Sequence, residues 1–256
     1  MLLRQAQYGQ LRVEIYSTRK EMGAAAAELA ASWIRELLTQ KEILSLVFAS
    51  APSQNEMLEA LRSQPGIDWQ RIQVFHLDEY VGLGPDHPAS FRRYLQDHLL
   101  QHVKPRAFHG LDGLAPDLSR ECRRYEALLR QYPPDLVFLG IGENGHLAFN
   151  DPPACDFEDP VAVKVVQLDE TCRLQQVHDG AFPNLEAVPR VALTLTVPFL
   201  MSIPRAVIVV PGPTKRQAVK TALEGPIEPA CPASILRRHP QAVLFLDQEA
   251  ASLLSS

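Results

Sequence analysis

Short apolar runs alternate along this chain with longer stretches of helical period, the pattern of a parallel sheet covered by helices. Residues 43–49, 72–77, 136–141 and 206–210 are apolar almost from end to end, as expected of strands buried on both faces. A more modest strand is predicted over 11–16, and further ones over 191–197 and 243–246. The strongest helical signal is the alanine-rich stretch 22–38, built of good helix formers. Thr18-Arg19-Lys20-Glu21 ahead of it has capping-box spacing, with Thr18 as N-cap and Glu21 reaching back. Other helical patterns fall between strands, at 54–63, 90–100, 119–131 and 215–223. No internal repeat, low-complexity tract or linker divides the chain. The pattern therefore predicts one α/β domain over 1–256, an open, mostly parallel twisted sheet with helices on both faces. Residues 152–189 break the rhythm with Pro152-Pro153, the acidic residues Asp156, Glu158 and Asp159, and an Asp179-Gly180 turn. A long stretch of weak periodicity inside a domain predicts a lid or binding loop, the plain alternative being an irregular surface excursion.

Composition narrows the function. A chain of 256 residues that is 46% apolar and 21% charged can bury a sizeable core. Its formal net charge of −5 argues against nonspecific binding of nucleic acid, which needs a clustered basic face. A phosphate is still admissible, because one lysine or one helix N-terminus is enough to hold it. No apolar run is long enough to span a bilayer, and Met1-Leu2-Leu3-Arg4 opens no signal-peptide segment, so no membrane partner and a cytoplasmic location are expected. Cys122, Cys155, Cys172 and Cys231 are scattered without a C-x-x-C pair and read as reduced thiols, neither a disulfide framework nor a zinc site.

In open α/β sheets ligands collect at the carboxyl ends of strands, which singles out three strand exits. After 72–77 come Asp78 and Glu79, adjacent carboxylates where a substrate would sit. One of them can serve as a general base, its pKa set by burial and by its neighbour; alternatively Asp78 caps a turn and Glu79 is solvated. After 136–141 comes Gly142-Glu143-Asn144-Gly145-His146, with Asp151 close behind. The glycines permit tight turns near a ligand, His146 can exchange protons near neutral pH, and Asn144 and Asp151 are candidates to orient its ring. The spacing is not Gly-x-Gly-x-x-Gly, so no dinucleotide is implied. After 206–210 come Thr214, a candidate cap, and Lys215 in the first turn of the next helix. A cation there opposes the helix dipole unless an anionic ligand is shared by both; the plain alternative is a solvated lysine.

Together these exits resemble one family. Asp78-Glu79-Tyr80-Val81-Gly82-Leu83 with His87-Pro88 and Ser90 is similar to its first signature. Gly140-Ile141-Gly142-Glu143-Asn144-Gly145-His146-Leu147-Ala148-Phe149-Asn150 is similar to its second, and Val188-Pro189, Ala192-Leu193-Thr194, Lys215 and Leu223-Glu224-Gly225 follow in order. The family is glucosamine-6-phosphate deaminase, related in fold to 6-phosphogluconolactonase, and the resemblance spans roughly residues 20–247. Tyr80 and Ala148-Phe149-Asn150 favour the deaminase branch over the lactonase branch.

The resemblance implies a Rossmann-like fold of the kind shared with ribose-5-phosphate isomerases and CoA transferases. It implies a sugar-phosphate substrate, no redox cofactor and no metal, and it is compatible with a homo-oligomer. Asp78 then matches the base that moves a proton between C2 and C1. His146 matches the group that assists ring opening, supported by Asn144 and Asp151, and Lys215 matches a phosphate-binding lysine. Ser50, Ala51, Ser53, Glu79 and Gly145 fall among the expected substrate contacts. Differences are also visible. Asn144 stands where many members have aspartate, and Asp151 stands where glutamate is usual. The phosphate loop Ala49-Ser50-Ala51-Pro52-Ser53-Gln54 has no glycine. The family's phosphate-binding arginine falls at His178 by position, with Arg173 the nearest guanidinium. The expected reaction is isomerisation and deamination of an aminosugar 6-phosphate. The alternatives are a lactonase or isomerase on the same scaffold and a sugar-phosphate sensor without turnover.

Overall fold

The first two strands, β1 (Leu2–Tyr8) and β2 (Leu11–Tyr16), form an antiparallel hairpin that turns through Gly9 at φ +62°. In this computed structural model residues 1–152 and 154–255 are described; Pro153, half of the Pro152-Pro153 pair, and Ser256 lie outside them. Helix α1 (Arg19–Gln40) starts where the capping pattern places it, with the Thr18 side chain accepting from the Glu21 N–H. The Glu21 carboxylate accepts from the Thr18 hydroxyl rather than from its backbone. Ala26, Ala27, Ala30 and Ala31 are fully buried, so the backbone of α1 lies close to its neighbours. A Cβ on Gly23 would come within 2.7 Å of Glu56, which is why α1 can cross α2 (Asn55–Arg62) so closely.

The remaining elements follow in order. They are β3 (Leu44–Phe48), β4 (Ile72–His76), β5 (Asp78–Tyr80), α3 (Phe91–Leu95), α4 (Gln101–Val103), β6 (Ala107–His109), α5 (Leu118–Gln131) and β7 (Leu136–Leu139). Then come β8 (Val163–Gln167), α6 (Glu170–His178), β9 (Val191–Leu195), α7 (Val197–Ser202), β10 (Arg205–Val210), α8 (Arg216–Glu224) and β11 (Ala242–Asp247). The helix expected over 90–100 is interrupted, since α3 passes through a π turn at Gln96–Leu100 before α4.

Eight strands form one sheet in the order β1-β2-β11-β10-β7-β3-β4-β6, parallel throughout except for the β1–β2 hairpin. Alternate residues of its central strands enter two separate cores. Leu46, Phe48, Leu136, Phe138, Val207 and Val209 pack with α1, α2 and α3 on one face. Val47, Val137, Leu139, Ile208 and Val210 pack with α5, α7 and α8 on the other. Both faces are covered, as continuously apolar strands require.

A second, three-stranded antiparallel sheet, β5-β9-β8, stands beside the carboxyl ends of the main strands. The sequence pattern did not separate it, because β9 reads like any buried strand. The segment 152–189, expected as a lid or binding loop, holds β8, α6 and a turn at Leu185–Ala187 among its described residues. Only Val163 and Val166 of β8 are buried, so its polar and apolar positions show no clear period. Among the described residues no helix is long and apolar enough to cross a membrane.

Candidate active site

A cavity of about 440 Å³ opens where the strands of the main sheet end. Ser50, Ala51 and Ser53 line it after β3, Asp78 after β4, Gly142 and His146 after β7, and Thr214 and Lys215 after β10. The carboxyl-end rule therefore brings the sequence's three exits and the serine loop into one space.

Asp78 opens β5, paired through its backbone with Thr194 on β9. Its carboxylate is almost buried, and desolvation, with the neighbouring Glu79 charge, pushes its pKa well above the usual aspartate range. Glu79, expected as a substrate contact, points the other way, as alternate residues of a strand must. It is fully buried and accepts from the Ser90 hydroxyl and from the N–H groups of Tyr80, Phe91 and Arg92 at 2.8–3.2 Å. It caps the start of α3 and does not line the cavity.

His146 owes its position to the glycines around it. A Cβ on Gly142 would fall 2.1 Å from His146 Cε1, so only glycine leaves room for the ring. Gly145 holds φ +84° against Cys231, and its carbonyl accepts from the Ala233 N–H. It shapes the turn and, contrary to expectation, does not line the cavity, because that contact turns it toward the core. The Asn144 side-chain oxygen accepts from the His146 N–H at 3.1 Å and lies 2.7 Å from Nδ1. Its amide nitrogen donates to Asp151 Oδ1 at 3.1 Å, which fixes the orientation of the amide and so places a hydrogen on His146 Nδ1. Asp151 Oδ1 lies 3.2 Å from the same Nδ1, and Asp151 Oδ2 accepts from the Asp169 N–H at 3.3 Å. Burial alone would raise the Asp151 pKa, but hydrogen bonds from His146, Asn144 and Asp169 outweigh it and hold the carboxylate ionised. The loop is anchored to β9, with Phe149 N–H donating to Thr194 Oγ1 and the Asn150 amide donating to Leu195 O.

Cys172 on α6 forms a buried group with His146 and Asp151 whose ligand atoms lie within 4.8 Å of one another, but burial pushes the Cys172 thiol pKa up and keeps it from the thiolate form that a zinc site needs. The sequence showed no such group because its members are 26 residues apart at the extremes and come from different elements.

Elsewhere on the cavity wall, Ser50 Oγ is buried without a hydrogen-bond partner. The Gln54 amide beneath the loop donates to Val209 O at 3.2 Å and to Leu139 O at 3.4 Å, tying the glycine-free turn to β10 and β7. Lys215 is nearly buried; desolvation lowers its pKa, opposed by Asp179 and Glu143. Two expected phosphate contacts are absent from the cavity wall. Arg173 faces inward along α6 and donates from Nη2 to the carbonyls of Leu185 and Val188, stapling the helix to the next turn. His178 is exposed at the end of α6, 3.7 Å from Glu143. The wall on this side is formed instead by Gln175, Gln176 and Asp179, with the Gln175 side-chain oxygen accepting from the Glu143 N–H at 2.8 Å. A further wall residue, Arg19, comes from α1. It follows the exit of β2, so the rule used for the other strands could have found it.

Comparison with known proteins fits this geometry. The family model described as glucosamine-6-phosphate isomerases/6-phosphogluconolactonase matches residues 17–245. Glucosamine-6-phosphate deaminases of Bacillus thuringiensis (strain Al Hakam) and Bacillus anthracis (strain A0248) are each 35% identical over 245 residues, covering 96% of this chain and 90% of theirs. A solved monomeric glucosamine-6-phosphate deaminase superposes with a TM-score of 0.86 at 33% identity, covering 94% of this chain and 99% of that one. A 6-phosphogluconolactonase from Shewanella baltica OS155 shares the fold, with a TM-score of 0.76 at 20% identity over 92% of this chain and 97% of its own.

Proposed function

The chain belongs to the glucosamine-6-phosphate isomerase/6-phosphogluconolactonase family, and from that premise we propose that it is a cytoplasmic glucosamine-6-phosphate deaminase, converting glucosamine 6-phosphate and water to fructose 6-phosphate and ammonia. The observation that carries this reading is that one cavity presents a buried carboxylate of raised pKa, Asp78, together with a histidine whose Nδ1 is already engaged by Asn144 and Asp151.

With Nδ1 occupied, Nε2 is the nitrogen left for the substrate. In this reading His146 relays the proton between the ring oxygen and the C1 hydroxyl that opens the pyranose, and Asp151 stabilises the imidazolium that forms. Asp78 then removes the C2 proton of the open aldose and returns it to C1, leaving an imine at C2. Water adds to that carbon and ammonia departs. A buried aspartate suits the second step, since an ionised carboxylate of raised pKa is a stronger base than a solvated one. Lys215 and the serine loop hold the phosphate, which keeps C1 and C2 at the Asp78 and His146 end of the cavity.

Release of ammonia from purified protein given glucosamine 6-phosphate tests the reading, with galactosamine 6-phosphate and 6-phosphogluconolactone alongside. Ammonia from either aminosugar, lost in Asp78→Asn, supports it and identifies the epimer. Lactone hydrolysis without ammonia would replace it with the lactonase reading.

A further inference from the structure

The glycine-free loop and the missing helix arginine leave the phosphate short of donors on the face away from Lys215. Among the described residues lining the cavity, Arg19 and Lys215 are the only lysine or arginine side chains, facing the carboxylates of Asp78 and Asp179. Lys215 alone would meet a dianionic phosphomonoester with a single charge.

Arg19 is a second cation on the same wall, and it is held in place. Its Nε donates to Glu56 Oε1 at 2.9 Å and its Nη2 to Glu56 Oε2 at 3.0 Å, a two-pronged pair that sets the plane of the guanidinium. Nη2 also donates to Pro52 O at 3.1 Å, which anchors the group on the loop that carries Ser50 and Ser53. Nη1 has no protein acceptor among the described residues, and Ser50 Oγ on the same loop is buried without a partner. Two donors without acceptors therefore belong to residues that line the same cavity as Lys215.

We propose that Arg19 is a phosphate-binding residue, which together with Lys215 and the Ser50 hydroxyl selects substrates carrying a terminal phosphomonoester. The inference rests on the sugar-phosphate reading above. It places in α1 the guanidinium that the sequence led one to seek in α6. Glu56 has a definite part: it orients the fork while competing with the ligand for the same cation. Removing the Glu56 charge should then help the ligand, whereas removing Arg19 should harm it.

The test is titration calorimetry of the full chain with inorganic phosphate and with fructose 6-phosphate, in parent, Arg19→Ala, Arg19→Lys and Glu56→Gln, with melting curves to establish folding. Arg19→Ala should weaken both ligands by about 10- to 100-fold, the usual cost of a lost hydrogen bond to a charged group. It should also flatten the dependence of affinity on ionic strength. Arg19→Lys keeps a cation for Glu56 and should lie between, about 3- to 10-fold weaker, because an ammonium lacks the fork. Glu56→Gln should bind phosphate as tightly as the parent or more so.

A folded Arg19→Ala within twofold of the parent overturns the proposal. So does equal weakening in Arg19→Ala and Glu56→Gln, which would mean that the pair only props up the loop. Should Arg19→Ala not fold, an unaltered Kd in Arg19→Lys overturns it. Because binding is read without turnover, Arg19-dependent phosphate affinity in a protein that releases no ammonia would keep this site and reject the deaminase reading. Ammonia release with Arg19-independent affinity would do the reverse.

Discussion

Asp151 Oδ1 stands 3.2 Å from His146 Nδ1 although it is one methylene shorter than the glutamate expected there. Asp151 also accepts from the Asn144 side-chain amide and from the backbone N–H of Asp169 just before α6. The shorter acid is thus held from two sides. Asp151→Asn should keep the shape and remove the charge that stabilises an imidazolium, lowering kcat/KM about 100-fold or more. Asn144→Asp adds a second carboxylate beside Nδ1, which can still hold the ring, and should retain turnover. Steady-state rates across pH 5–9 check both. An Asp151→Asn variant with parental kcat would remove this residue from the proton relay.

Asp78 should show opposite effects on rate and on stability. Burial, with Glu79 beside it, raises its pKa well above the ordinary range, and a base must be ionised. Therefore kcat/KM should rise with pH through that raised value, its acid limb lying above the ~3.9 of a free aspartate. Between the unfolded and the raised folded value the native state binds more protons than the unfolded state. The stability contributed by this group is accordingly present at low pH and lost as pH rises through the folded pKa. Asp78→Asn removes that loss. Its turnover should fall by about 10²- to 10⁴-fold, while its Tm at pH 8 should equal or exceed that of the parent, with a smaller gain at pH 5. An inactive variant that melts lower at pH 8 would show the carboxylate holding the fold instead.

What the sequence disclosed depended on whether one face or two were buried. Strands β3, β4, β7, β10 and β11 were legible because covered sheets demand unbroken apolar runs. Strands β1, β6 and β8 were not, because exposed edges carry mixed residues. In the site, Asp78, His146 and Lys215 followed from the strand-exit rule, and the serine loop from a resemblance to known enzymes. Arg173 misled because nothing in the sequence tells a cavity-facing arginine from one bonded to carbonyls 12 and 15 residues on, beyond the end of α6. Arg19 follows the exit of β2 but stands inside a capping pattern that accounts for Thr18 and Glu21 on either side of it.

Gly142 offers a purely steric test of the histidine's placement. An added Cβ would fall 2.1 Å from Cε1 and 2.4 Å from Nε2, so the ring has to swing off Asn144. Gly142→Ala should lower kcat at least 10-fold through a misplaced proton donor, with a stability cost of about 1–3 kcal/mol, typical of overpacking. Kinetics and urea unfolding on the same preparation separate the two. Unaltered kcat would mean the ring has another place to work from.

The last prediction concerns the carboxylate that the sequence set beside Asp78 and the fold turned away. Glu79 is fully buried, and its two oxygens accept four hydrogen bonds, one from the Ser90 hydroxyl and three from the N–H groups of Tyr80, Phe91 and Arg92. Phe91 and Arg92 open α3, so the acid sits at a helix N-terminus, where burial raises its pKa and the hydrogen bonds from Arg92, Ser90, Phe91 and Tyr80 oppose that rise. Glu79→Gln keeps the volume but replaces one acceptor with an NH₂ that faces backbone N–H groups. It should cost about 2–4 kcal/mol of stability, the range for charged acceptors whose buried donors lose their partner. Because Glu79 does not itself line the cavity and meets its wall only through Ser90 and Phe91, KM should stay within about threefold of the parent below the melting range, on the scale of an indirect contact. Urea midpoints and KM measured together decide the matter. A lower midpoint with KM nearly constant confirms a cap, whereas a tenfold rise in KM without loss of stability would make Glu79 a substrate ligand after all.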